Sequence, residues 1–389
     1  MKIKVEKTAL VDSLKKATSF IGFPKNNVVS ISTDENKNVV LKVSTLTKIS
    51  QGGTFSAKIS ADVDEKGGVA VCAKKLYQIA KLLKGDTISI TDVDDEYIFV
   101  TDGHSKIKFP PEKDLQKLPE IFYTDTIEVT ASNFKKLVNK TSFACNKTGY
   151  KKVIHICINF SATNDGFLQA SATDSSRMAY NSCPCTQSEN PVNFNVYVSK
   201  IQSFANILPN SDKKIKIEIG TADNTFAKFS FDKFELLTVL YEEKVPDIMQ
   251  VFSFKKPIAI LDTKEFKNTL DAMTLITKHC NHNMIYLNFS GDMLKLTAES
   301  KEFGKCESTI DCFELAENAF IPVNSIYLAD AVKQISSPKF PIVITSNTIQ
   351  ITNGKFFCII AQLKDPAKKL PQSEIKQIDP PTIDVTTAA

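Results

Sequence analysis

The stretch SATDSSRMAY, residues 171–180, holds the sole arginine of a 389-residue chain in which Lys and Arg together number 48. A guanidinium is planar, permanently charged, and grips carboxylates, carbonyls or aromatic faces in a fixed geometry that the mobile ammonium of lysine does not impose. Read from its neighbours alone, Arg177 pairs with Asp174 or another local acid and orders a turn. Other residues with chemical potential are Cys183-Pro-Cys185, His279-Cys280 with His282, and the acidic TDVDDEY around Asp92, Asp94 and Asp95. Neither Cys or His cluster has a second ligand pair at zinc spacing. The acidic run lacks the glycine and distal glutamate of a calcium loop, so neither metal nor cofactor is expected. Four histidines (His104, His155, His279 and His282), no glycine-rich phosphate loop and no nucleophile–base or paired-carboxylate spacing leave nothing from which to build an enzyme site.

What the chain has in quantity is lysine, and it is unevenly placed. Six segments read as amphipathic helices: 8–22, 73–85, 132–147, 199–208, 264–278 and 324–337. They carry 15 lysines against 4 acids while the whole chain is only +4, so the remainder is net negative. A basic helical layer on an acidic remainder is the footprint of a protein that offers one face to a polyanion. Lysines solvated separately on exposed helix faces are the bland alternative. Ammonium groups suit contacts to phosphate that must not fix a register. With no tryptophan and no aromatic-studded basic strands, stacking on single-stranded bases is not expected.

The helices belong to a repeat. TALVDSLKKATSFIG from Thr8, SNFKKLVNKTSFACN from Ser132 and KEFKNTLDAMTLITK from Lys264 align with one another. In the second, Phe134, Leu137, Val138 and Thr141 fall on one face and Lys135, Lys136, Asn139 and Lys140 on the other. A second set recurs at near-equal intervals: AKKLYQIAKLLKGDTISI from Ala73, SKIQSFANILPNSDKKIKIEI from Ser199 and NSIYLADAVKQISSPKFPIVI from Asn324. Between them lie period-2 runs such as NVVLKVST, YIFVTD, FAKFSF and MLKLTAES. The expected fold class is α+β: three repeated domains, each of two helices packed on antiparallel sheet. Boundaries are expected at 1–125, 126–254 and 255–368, with 369–389 a disordered tail rich in proline and charge. No run approaches the roughly 20 apolar residues of a membrane span. The N-terminal MKIKVEK lacks the apolar core of a secretory signal, and the nine cysteines read as reduced, mostly buried thiols. A cytoplasmic protein without membrane partners is expected.

From Met1 to about Lys364 the chain resembles the bacterial sliding clamp family, the β subunits of DNA polymerase III. GGVAVCAKKLYQIAKLLKGDTISI is similar to the family's first-domain helix with its flanking strands, and FKKLVNKTSFACNKTGYKKVIHICINF to its second-domain opening. SATDSSRMAY resembles A-T-D-G-H-R-L-A, and LLTVLYEEKVPDIMQVF resembles L-I-E-G-x-F-P-D-Y-x-x-V; these two are the specific motifs. The resemblance implies three clamp domains forming half of a ring, and a head-to-tail homodimer around double-stranded DNA without sequence preference. Its role would be processivity rather than catalysis. The inward-facing candidates it implies are Lys15, Lys16, Lys25, Lys74, Lys75, Lys81, Lys84, Lys135, Lys136, Lys140, Lys151, Lys152, Lys200, Lys264, Lys267 and Lys333. It also implies an apolar cleft that docks short linear peptides of DNA polymerase, clamp loader and repair proteins. That cleft would be lined by Ile154, Thr173, Ser175, Ser176, Arg177, Met178, Pro246, Val251, Cys358 and Ile360. A repeat-built scaffold that binds only protein, without DNA encirclement, is the alternative; it gives no reason for a lysine excess on the helices. The chain departs from the family at Ser175-Ser176, where the motif has Gly-His, and at Gln250, where many members have arginine. The family's C-terminal M-P-M-R-L is represented by IIAQLKD from Ile359, followed by a tail that the typical clamp lacks. The cleft is accordingly expected to prefer a different peptide or to be covered by that tail. TDGH at Thr101–His104 matches the motif letters in the first unit and is expected to be a strand turn.

Overall fold

The structure, a computed structural model, describes residues 1–20, 28–45, 52–93, 96–112, 119–146, 152–186, 191–243, 245–246, 248–253, 255–278, 281–300 and 302–364. Alternating burial marks the strands from the first one: in β1 (Lys2–Glu6) every second residue is buried. It leads into α1 (Lys7–Phe20), then β2 (Val28–Thr33), β3 (Asn38–Ser44), β4 (Gly53–Glu65), β5 (Gly68–Cys72), α2 (Ala73–Leu82), β6 (Thr87–Val93), β7 (Tyr97–Thr101) and β8 (Lys106–Phe109). The same order returns in β9 (Phe122–Thr130), α3 (Ala131–Ser142), β10 (Cys157–Ala162), β11 (Phe167–Thr173), β12 (Arg177–Pro184), β13 (Val192–Tyr197), α4 (Val198–Ile207), β14 (Lys214–Thr221), β15 (Thr225–Phe231) and β16 (Phe234–Val239). A short α5 (Ile248–Val251) precedes the third copy. That copy comprises β17 (Ala259–Asp262), α6 (Thr263–Thr277), β18 (Met284–Ser290), β19 (Met293–Ser300), β20 (Gly304–Leu315), β21 (Ala319–Asn324), α7 (Ser325–Val332), β22 (Lys339–Ile344), β23 (Thr348–Asn353) and β24 (Phe356–Ala361). The fold is α+β, with three repeats of two helices on antiparallel sheet.

Within each repeat the two long helices lie side by side, and α1 also touches α4. The apolar face read in α3 is buried as expected: Phe134, Leu137, Val138 and Thr141 have no exposed surface. A lysine ties each pair together. Lys7 Nζ donates to the Leu83 carbonyl, Lys135 Nζ to the Leu208 carbonyl at 2.8 Å, and Lys267 Nζ to the Ile335 carbonyl at 3.0 Å. Each thus satisfies an acceptor that the C-terminal end of the second helix would otherwise leave open.

Two twelve-stranded sheets cross the boundaries between repeats. β16 pairs with β4, from Phe234↔Ala57 to Thr238↔Gly53, and β24 pairs with β12, from Arg177↔Ile360 to Tyr180↔Phe357. Each time, the last strand of one repeat hydrogen-bonds to the fourth strand of the repeat before it. The first junction is filled by Phe20, Phe55 and Phe234, stacked in a row with centroids 5.6 and 5.9 Å apart. Lys200, the third residue of α4, is buried against it. Among the described residues its amino group has the Phe20 carbonyl at 3.3 Å and the Phe20 ring at 4.6 Å.

Burial pulls the Lys200 pKa down to about 8 from 10.5. Below about pH 8 the group is charged in both the folded and the unfolded chain, and the folded state bears the whole desolvation cost. As pH rises from there toward 10.5 the folded chain loses the proton first, so stability rises. Lys200→Met is expected to raise the unfolding free energy at pH 7 by up to about 3 kcal/mol and to flatten that rise. Denaturant melts at pH 7 and 10 measure both; a variant no more stable than wild type would show that the ammonium is not what strains this junction.

Candidate functional site

Of the lysines expected to face DNA, Lys25 and Lys151 lie outside the described residues. Lys15, Lys74, Lys75, Lys81, Lys84, Lys136, Lys152, Lys264 and Lys333 are exposed. The helices that carry most of them form one row: α2 beside α1, α1 beside α4, α4 beside α3 and α7 beside α6. The row is bridged between α3 and α7 by Arg177, which lies over Phe143 at the end of α3 and Tyr327 of α7. Lys200 drops out of the DNA-facing set, because the third position of α4 points into the junction with α1 and is buried there. Lys135 and Lys267 are half-buried and hold helix carbonyls. Lys16 pairs with Asp12 at 2.7 Å and lies over the Phe234 ring. Lys140 is half-buried 5.6 Å above Phe356, and burial, with Lys136 nearby, lowers its pKa. These four add charge to the layer, but their amino groups already have partners.

The Arg177 turn is built from its own short side chains. Asp174 Oδ1 accepts the backbone N–H of Ser176 and of Arg177, both at 3.0 Å, and Thr173 Oγ1 donates to the Arg177 carbonyl at 2.8 Å. Ser175 sits at φ 76°, in the left-handed region where the family motif supplies glycine; for a residue with a Cβ this conformation costs about 1 kcal/mol. The Arg177 side chain is 8% exposed and joins two repeats: Nε donates to Asp174 Oδ2 at 2.9 Å and Nη1 to Asp330 Oδ2, on α7, at 2.8 Å. Its Cζ lies 4.2 Å from the Tyr327 ring centroid and 5.5 Å from that of Phe143. Both carboxylates and both rings are served by one rigid fork, an arrangement lysine does not reproduce.

Beside this turn, on the face of β12 and β24 turned away from the main core, Met178, Phe252 and Ile359 form a separate apolar cluster. Tyr180, Val245 and Phe357 pack around it. Phe252 meets Phe357 edge-on at 4.9 Å, and Tyr180 lies 5.7 Å from Phe357. Two depressions adjoin Tyr180. One, of about 270 Å³, lies among Asn159, Asn193, Val245 and Pro246; the other, of about 280 Å³, lies among Phe167, Lys355 and Phe357. Asn195 Nδ2 holds the segment that brings Val245 and Pro246 here, donating to the Tyr241 and Glu243 carbonyls at 2.8 and 2.7 Å.

The expected cleft residues divide. Thr173 and Met178 are cross-strand neighbours on this face, Pro246 is exposed at its wall, and Ser175 and Ser176 are exposed at the turn. Val251 is exposed beside Phe252, while Ile154 is buried with its N–H donated to Glu243 Oε2 at 2.8 Å. Cys358 and Ile360 do not line the groove. Their register with Ala179 and Arg177 puts them on the core face, fully buried, and Ile359 and Phe357 take the groove side. A one-residue change of strand register exchanges the two faces. Tyr180, Phe252, Phe357 and Ile359 were not legible as groove residues; alternation outward from Met178 is the signal that finds the first, and the β12·β24 register finds Phe357 and Ile359.

Among the described residues no group of three or more His, Cys, Asp or Glu is placed to hold a metal ion. Asp94, Asp95, His279 and Cys280 lie outside the described residues. Cys183 and Cys185 sit at the end of β12, where burial pushes the Cys183 thiol up to about 12, away from reactive thiolate. TDGH is a turn between β7 and β8. There the backbone N–H groups of Ser105, Gly85, Lys84 and His104 converge on Asp102 and hold its carboxyl far below the usual range. No helix among the described residues is long and apolar enough to cross a membrane.

Comparison with known proteins agrees with this architecture. Residues 128–247 match the central domain of the DNA polymerase III beta subunit, and residues 253–355 match its C-terminal domain, together more than half of the chain. The beta sliding clamp of Lactococcus lactis is 24% identical over 371 residues, 90% of this chain and 94% of that relative. The beta sliding clamp of Staphylococcus aureus is 23% identical over 340 residues, 85% of this chain and 88% of that relative. The crystal structure of the DNA polymerase sliding clamp from Bacillus subtilis superposes with a TM-score of 0.84 at 18% identity, over 94% of this chain and 99% of that one. The repeated strand-helix order, the two sheets that run across the repeats and the matches to both domains lead to one conclusion: the chain belongs to the DNA polymerase III beta subunit family, the beta sliding clamps.

Proposed function

We propose that two copies of this chain, each divided at 125/126 and 254/255, close head to tail into a ring that encircles duplex DNA without reading its sequence. The ring tethers DNA polymerase, and in turn clamp loader and repair proteins, through short peptides held in the Met178 groove. One observation carries the ring. Among the described residues, β8 pairs with β7 alone, and β20 has β19 along residues 304–311 but meets β17 only from Cys312 onward. The flank so left open is the one β4 gives to β16 and β12 gives to β24. A second chain's β8 laid on β20 makes a third copy of the same junction, and two such contacts close a ring. Side chains are compatible with it: β8 carries Lys106 and Lys108, and β20 carries Asp311 and Glu307, the latter paired with Lys295 and Lys305. Leu275, near the end of α6, is 73% exposed, in the region where Phe20 is buried and Phe143 half-buried in the other two repeats. Lys75, exposed, is the third residue of α2, as Lys200 is of α4.

For the DNA, exposed lysines on a continuous helical row give phosphate contacts that are individually weak and salt-dependent. For the groove, apolar anchors supply the binding, and the Arg177 fork holds the turn that frames it.

The native mass is expected to be twice the 43.1 kDa protomer, falling to a single protomer in Leu275→Glu/Lys108→Glu. Loaded on nicked circular plasmid, the protein should stay bound until the plasmid is linearised and then run off the ends. A persistent wild-type monomer, or equal retention on both DNA forms, would remove the ring. Arg177→Met leaves the buried Asp174 and the partly exposed Asp330 without their cation and is expected to cost about 3 kcal/mol of stability, most of it from Asp174. In a double-mutant cycle with Asp330→Asn, a coupling of about 1–3 kcal/mol is expected; additive effects would show that the bridge to α7 contributes nothing. Met178→Lys should abolish co-elution with polymerase while leaving the native mass unchanged, and retained co-elution would displace the groove as the docking site.

A further inference from the structure

The groove face does not stop at the Met178 cluster. It continues as a strip in which Tyr180 stands between depressions of about 270 and 280 Å³, with Val245 and Pro246 walling one above a floor of polar side chains that includes Asn159 and Asn193, and Phe167, Phe357 and Lys355 the other. The Lys355 amino group lies 3.7 Å from the Phe167 ring centroid, at the exposed rim. The chain leaves this strip along β24 itself: after Ala361 the Leu363 N–H donates to the Pro322 carbonyl at 2.9 Å, and residues 365–389 follow, outside the described residues. In that segment the large apolar side chains stand singly among prolines and charges: Leu370, Ile375, Ile378, Ile383 and Val385. Such a sequence has too little apolar content for a core of its own. Isolated anchors on a chain of little competing structure are what a shallow groove beside a strand accepts.

Resting on the reading of this face as a peptide groove, we infer that residues 365–389 dock back onto the strip of their own protomer, with Ile375 and Ile378 on either side of Tyr180, and compete there with partner peptides. The reach suits it. Lys364 to Phe357 is roughly 23 Å along an extended strand, and the eleven residues from Lys364 to Ile375 have an r.m.s. span of roughly 18 Å. Glu374 and Asp379 flank the two isoleucines with Lys376 between them, and the rim they would meet carries Lys355 and Asp165. A tether of this length holds its anchors at an effective concentration on the order of millimolar. Against an intrinsic Kd of about 100 µM, that weakens any competitor roughly tenfold.

The test uses the full-length chain. A fluorescein-labelled synthetic peptide spanning residues 368–384 is titrated by anisotropy into wild type and into Ile375→Asp/Ile378→Asp, and amide hydrogen exchange of residues 370–380 is followed in each. Docking requires about tenfold tighter peptide binding by the variant, loss of that binding when Tyr180→Ala is added, and protected amides in wild type that exchange freely in the variant. Equal affinity for the two chains, still lost with Tyr180→Ala, overturns the tail as occupant and keeps the groove as a peptide site. Unprotected amides in wild type overturn it independently of any effect of Tyr180→Ala on folding. Binding to neither chain also overturns it, and leaves the groove to be judged by the polymerase co-elution of Met178→Lys.

Discussion

The constraint on which the rest depends is that a strand edge has to be paired. The fourth strand of the first repeat serves two neighbours on one flank, giving residues 61–65 to β1 and 53–57 to β16, and β12 likewise gives residues 177–180 to β24. The last strand of the next repeat fills the place left over, and its backbone groups are satisfied without a loop or a covering helix. Because this ladder fixes register as well as contact, it also fixes orientation. The repeats cannot rotate against each other without breaking hydrogen bonds, and the helices on their common side are kept in one row.

The two junctions inside the chain answer the same geometry with different chemistry. At the first, a buried lysine lies on the Phe20 ring, and its described polar partner is the neutral Phe20 carbonyl. At the second, a buried arginine lies on Phe143 and Tyr327 with two carboxylates in its fork. A cation taken from water without an acid is costly, whereas one with two hydrogen-bonded acids is compensated and becomes costly only when a partner is removed. The second junction is therefore the better defined of the two, and it adjoins the groove. On the reading of that groove as a peptide site, a face shared by two repeats keeps its shape only if the repeats keep their spacing, which would give the single guanidinium its place in a chain otherwise supplied with lysine.

The repeat was legible because amphipathic period and strand alternation are local. The face read in α3 from Phe134, Leu137, Val138 and Thr141 is the buried face. Legibility ended wherever the answer depended on a partner far away in sequence. Asp174 is three residues from Arg177 and visible as a partner; Asp330 is 153 residues away and is not. The parity of β24 depends on its pairing with β12, so Ile359 and Phe357 could not be preferred over Cys358 and Ile360 before the register was known. Lys200 counted toward a basic layer in the same way as its neighbours, since composition records a charge without recording which way its side chain turns.

The same distinction bears on how tightly such a protein would hold DNA. Lys135 and Lys267 are engaged by backbone carbonyls, Lys16 by Asp12, and Lys140 by partial burial, so contact with phosphate falls to the exposed lysines spread along the row. Each phosphate neutralised contributes a counterion-release slope of about 0.9 in log K against log salt. A handful of loose contacts of that kind, without base readout, gives at physiological salt the dissociation constants of non-specific binding, about 10⁻⁴ to 10⁻⁶ M. Affinity of that order releases an open protein quickly. It is sufficient for a closed one, because a ring on duplex DNA has to be opened rather than merely unbound. On the ring reading, weak lysine contacts and strong strand-edge contacts are therefore complementary requirements: the first permit movement along the duplex, and the second prevent escape from it.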